Sequence, residues 1–91
     1  MTDEQMLAGS LSNDLFRVAA LAQRGSKVAA SRFLKEAQRW SNDLQDKAVA
    51  GYIKKIAHDI SSRKETDILE ASAERYLMYG VLLQNYTLHN K

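Results

Sequence analysis

Apolar residues recur along this chain at spacings of three and four, the repeat that places side chains on one face of an α-helix. Leu7, Leu11, Leu15, Val18 and Ala22 form the first such stripe. The chain has no proline and is rich in Ala, Leu, Lys, Glu and Gln, so nothing interrupts a helical hydrogen-bond ladder. Thr2 followed by Gln5 makes a capping box at the start of this segment. Gly9-Ser10 and Ser12-Asn13-Asp14 are weak helix formers, which predicts that the firm part of the helix begins near Ser10 or Ser12. Its end is marked by Arg24 and by Gly25 at the left-handed C-cap position, leaving Ser26 to cap the next helix.

The second stripe runs through Ala30, Phe33, Ala37, Trp40 and Leu44, with Lys35, Glu36, Gln38 and Arg39 mostly outward. Continuing it meets Lys47, Gly51, Lys54 and His58, so the register fails. A third stripe at Val49, Ile53, Ile56 and Ile60 replaces it, rotated by about 140° at helical pitch. A straight helix cannot bury both faces in one core. Ser41-Asn42-Asp43, three good N-caps, is the predicted turn, and one long helix over 27–62 is the competing reading. The same four residues, Ser-Asn-Asp-Leu, occur at Ser12–Leu15 and Ser41–Leu44, an echo too short to establish a duplication.

Ser62-Arg63-Lys64-Glu65 forms a second capping box, with Thr66 and Asp67 as alternative caps. Leu69, Ala73, Tyr76 or Leu77, Gly80 and Leu83 hold one face of the final helix, yet Tyr76 through Leu83 is apolar or aromatic almost throughout. A helix with no polar side is central in its core or covered by another chain. In a domain this small the second option predicts a homodimer, with Tyr76, Tyr79, Leu82, Leu83 and Tyr86 at the interface. The expected architecture is all-α: a small antiparallel bundle of four helices over 3–24, 27–41, 44–61 and 64–87, or three if 27–62 is continuous. The 91 residues fit a single domain without linkers.

Reactive groups are scarce. There is no cysteine, which removes disulfides, thiolate metal sites and thiol nucleophiles. His58 and His89 are the only histidines and neither lies in a metal-ligand spacing, so no metal and no cofactor are expected. No glycine-rich phosphate loop occurs, and an enzyme is not expected. The acidic start and the lack of a membrane-length apolar run predict a cytoplasmic protein that does not enter membranes.

Thirteen Lys and Arg against eleven Asp and Glu leave a formal charge of +2, too little to establish nucleic-acid binding. A basic face of Arg24, Lys27, Arg32, Lys54 and Lys55, with His58 beside it, is the candidate for nucleic-acid or phosphate contact. Ala57-His58-Asp59-Ile60-Ser61-Ser62 resembles the helix of histidine phosphotransfer domains, which implies an exposed phosphate acceptor at His58. Ser61 and Ser62 stand where that family has a lysine and a glycine. Leu21 to Leu34 resembles the turn and recognition helix of DNA-binding repressors, one residue short, which implies that Lys27, Ser31 and Arg32 face the groove. Trp40-Ser41-Asn42 is similar to the turn of small secreted helical hairpins that carry Trp-x-Gly, with asparagine in the glycine's place.

The features that stand out are apolar stripes and not sets of reactive groups. The reading they favour is a non-enzymatic interaction or regulatory protein acting through helix–helix contacts, with a second copy and other proteins as partners. Nucleic-acid binding through the basic face is the alternative, and the secreted hairpin a further one.

Overall fold

The capping box forms. Thr2 Oγ1 accepts from the Gln5 amide at 3.1 Å and Gln5 Oε1 accepts from the Thr2 amide at 3.0 Å, which starts α1 (Asp3–Gln23). In the computed structural model, which describes residues 2–64 and 72–89, three further helices follow: α2 (Lys27–Gln45), α3 (Gly51–Ser61) and α4 (Ala73–His89). Among the described residues there is no strand, and no helix is long and apolar enough to cross a membrane.

Contrary to the expected late start, α1 runs unbroken through Gly9 and through Ser12-Asn13-Asp14. Such residues weaken helices by turning their side chains onto their own backbone. Here the side chains are engaged elsewhere: Ser12 Oγ donates to the Gly80 carbonyl at 2.6 Å, and Asp14 Oδ2 accepts from Trp40 Nε1 at 2.9 Å. The helix ends in a Schellman motif. Gly25 has φ 77°, the Ser26 amide reaches the Leu21 carbonyl at 2.9 Å, and the Gly25 amide reaches that of Ala22 at 3.1 Å. Ser26 precedes α2 without a side-chain capping bond.

The register failure after Leu44 does mark a change of direction, but the turn comes later than Ser41-Asn42-Asp43. Ser41 and Leu44 are fully buried within α2, which continues to Gln45, and the chain reverses over 46–50. One long helix over 27–62 is therefore excluded. Ser62 is also reassigned: it closes α3, its amide reaching the His58 carbonyl at 3.1 Å and its Oγ donating to the same carbonyl at 2.9 Å. Glu65, Thr66, Asp67 and Leu69, which completed the expected start of the last helix, lie outside the described residues.

α1 is the central element, packed along α2 on one side and α4 on the other, while α3 packs on α2. Neighbours along α1 run antiparallel: Asp14 meets Trp40 and Arg17 lies over the Phe33 ring at 5.1 Å, while Gln5 reaches Thr87 and Ser12 reaches Gly80. Gln38 and Gln45, two turns apart on α2, both bond the last turn of α3 or the residues after it, so α3 lies across α2. The core takes Leu7, Leu11, Leu15 and Val18 from α1, Ala30, Leu34, Ala37 and Leu44 from α2, Ile53, Ile56 and Ile60 from α3, and Tyr76 and Leu83 from α4. Each large side chain so buried is worth roughly 1.5–3 kcal/mol. Phe33 and Trp40 are only partly buried and pack against the edge of this core.

A candidate interface on the outer face of the fourth helix

α4 touches α1 closely enough that one position has no room for a side chain unless its neighbour moves. A Cβ on Gly80 would lie 2.8 Å from Phe16 Cε1, and on the next turns Thr87 Oγ1 donates to the Gln5 carbonyl at 3.3 Å. This seam fixes the rotation of α4 about its axis, and the rotation decides which residues are left to solvent.

The inward face carries Tyr76, Gly80, Leu83 and Tyr86. Tyr76 and Leu83 are fully buried and Tyr86 is 7% exposed within the single chain, so these three cannot form the interface expected of them. Tyr79 is half-buried and its hydroxyl donates to Asp59 Oδ2 at 2.5 Å. Leu82 alone of the five predicted interface residues faces outward, at 37% exposure. It is joined there by Leu77, Met78, Val81 and Leu88, at 45%, 52%, 44% and 64%. The tyrosine spacing does mark one face of a helix, and that face is the inner one. Tyrosines suit a wet rim, yet these side chains make their contacts within the chain: the Tyr79 hydroxyl with Asp59, the Tyr76 ring under the Arg63 guanidinium at 5.7 Å, and the Tyr86 ring edge-to-face with Tyr52 at 6.4 Å. The outer residues are visible in the sequence as the second half of the uninterrupted apolar run.

Two carboxylates organise the surroundings, in opposite ways. Asp59 joins α3 to α4: burial pushes its carboxyl up, but hydrogen bonds from Tyr79 and from Arg63, at 3.1 Å, outweigh this and hold it below its ordinary value. Asp14, only 4% exposed, is displaced upward, by burial first and by Glu36 second, against the Trp40 bond and Arg17.

The basic residues do not converge. Arg24 and Lys27 flank the α1–α2 turn and Arg32 lies one to two turns into α2, whereas Lys54, Lys55 and His58 lie along the exposed side of α3. α3 meets the other half of α2, at Gln38 and Gln45. Lys47, placed near His58 in projection, instead lines a cleft of about 370 Å³ with Asp3, Met6, Leu7, Asp43 and Asp46. Trp40, Ser41 and Asn42 are helical within α2 and form no hairpin turn. The side-by-side antiparallel pairing of α1 and α2 also differs from a helix-turn-helix, whose helices cross at about 90–120°. Among the described residues no three His, Asp or Glu side chains are grouped to hold a metal. No family model matches this chain, nor does any curated protein or solved structure.

Proposed function

We propose that the protein is a non-enzymatic interaction or regulatory module that works by helix–helix association through the outward face of α4, with a second copy of the chain as its partner. The observation that carries this reading is the exposure of Leu77, Met78, Val81, Leu82 and Leu88 on one helix whose opposite face already fills the core. Together they leave roughly 400 Å² of apolar surface in water, within the range where the largest patch on a monomer is often functional. Two such faces joined, with Glu74 and Asn85 on the same stripe and Gln84 at its edge, reach roughly 1,000 Å² of total buried surface. That is the lower limit for a specific interface and describes a weak dimer, assembled and released by concentration.

Sedimentation velocity tests the proposal. Between about 5 µM and about 1 mM the wild-type chain shifts from monomer toward twice its mass, a span that covers micromolar dissociation constants. Val81→Asp, at an exposed position outside the core, keeps the helical circular-dichroism spectrum and remains monomeric. A wild-type chain of monomer mass throughout that range overturns the proposal.

A further inference from the structure

The apolar face of α4 has direction as well as area, and the two ends of the helix differ. Glu74 lies in its first turn and His89 in its last, both exposed. Between them Met78, Val81 and Leu88 continue the line from Glu74 at steps of four, three and seven, the near-heptad spacing of helices that pack along their length at a shallow angle. Leu77 flanks this line on the α1 side and Leu82 on the α3 side. Asn85, the polar member of the line, shares a cleft with Tyr52, Tyr86 and His89, so its amide has a wet edge to reach.

Resting on the self-association proposed above, we infer that the two copies meet with their α4 helices antiparallel, across a two-fold axis that passes between Val81 and Leu82. In that arrangement Glu74 faces His89 of the partner subunit at both ends of the interface. The negative end of each helix dipole also lies beside the positive end of the other. Met78 then opposes Asn85 of the partner subunit, and Val81 and Leu82 meet their own copies at the axis. A parallel pairing sets carboxylate beside carboxylate and aligns the dipoles, so both contributions become unfavourable. A two-fold axis also makes the patch its own complement, which closes the assembly at two copies.

The chain has no cysteine, so introduced thiols report geometry without background. In the antiparallel dimer residue 78 lies about 10 Å along the axis from residue 78 of the other copy, seven residues at about 1.5 Å each, beyond the roughly 7 Å that a disulfide spans. Under mild oxidation Met78→Cys mixed with Asn85→Cys therefore gives a cross-linked heterodimer, while each variant alone gives at least about fivefold less. Self-cross-linking of either variant as fast as the mixed pair overturns the antiparallel arrangement while leaving dimerisation intact. Monomer mass in sedimentation with no cross-link in any mixture overturns both. Charge exchange is an independent check. Glu74→Lys and His89→Glu each weaken the dimer by roughly 2- to 10-fold, the worth of two exposed polar pairs, and the double variant recovers wild-type affinity. In a parallel dimer the double variant does not recover, and that result also refutes the arrangement.

Discussion

Gly80→Ala and Gly9→Ala are the same chemical change on two helices of one seam, and the structure assigns them opposite signs. Glycine inside a helix costs about 0.8–1 kcal/mol relative to alanine, so each substitution begins with a gain of that size. At Gly9 the new methyl meets Thr87 Cγ2 at 3.5 Å, an ordinary contact, and the gain is kept. At Gly80 the methyl would stand 2.8, 3.0 and 3.2 Å from three ring carbons of Phe16, so the half-buried ring must move. Overpacking of this kind costs about 1–3 kcal/mol, which leaves Gly80→Ala destabilised by roughly 1 kcal/mol after the propensity gain. For a domain of this size 1 kcal/mol is worth about 4–8 °C in Tm, so Gly9→Ala melts several degrees above wild type and Gly80→Ala several below. Thermal and urea unfolding followed by circular dichroism measure both. Val81→Asp is the suitable background, because dimerisation makes Tm depend on concentration. In a Phe16→Leu chain the Gly80→Ala penalty shrinks by about 1 kcal/mol, since the obstructing ring is gone. A Gly80→Ala variant as stabilised as Gly9→Ala would falsify the seam.

Three further substitutions test the polar contacts. Asp14 has a folded value raised above its unfolded one, so its contribution is fully present below the unfolded value and is lost as pH rises through the folded value. Asp14→Asn, which keeps an acceptor for Trp40, therefore stabilises the chain near pH 7 and gives no such gain near pH 3; denaturant titrations at both pH values decide. Asp59 is the reverse case, with a lowered folded value whose contribution is present above the unfolded value and lost as pH falls through the folded one. Tyr79→Phe removes one of its hydrogen bonds, costs about 1 kcal/mol at neutral pH and flattens the acid side of the stability profile. The Ser41 hydroxyl is fully buried and has no hydrogen-bond partner among the described residues, so Ser41→Ala raises stability by about 1 kcal/mol in urea titrations, and a loss instead shows that the hydroxyl is satisfied.

The parts of the fold legible in the sequence are those decided locally. The Thr2–Gln5 box, the Gly25 terminus and the apolar stripes of α1, α2 and α3 each depend on residues within a turn or two of one another. The two Ser-Asn-Asp segments look like weak or breaking points in the sequence because their side chains act at a distance: Gly80 lies 68 positions from Ser12, and Trp40 lies 26 from Asp14. The turn over 46–50 contains neither glycine nor proline, so its place is set only by where Leu44 and Val49 must both reach the core. In α4 two apolar faces overlap in one run, and periodicity alone cannot tell which of them the remaining helices will cover. Gly80 settles it, because only its side of the helix can approach Phe16.

The seam between α1 and α4 also bears on the order in which the molecule can be made. Each helix can flicker into being from its own neighbours in sequence, and α1 can fold back on α2 across a short turn. The contacts between Gln5 and Thr87 and between Ser12 and Gly80, however, join positions 82 and 68 residues apart. Until α4 has been synthesised, one flank of the central helix stays open to water, and closing it carries the loop-closure cost of nearly the whole chain. A chain stalled before residue 73 thus holds three helices with an unfinished hydrophobic side along α1, and only the arrival of α4 covers it.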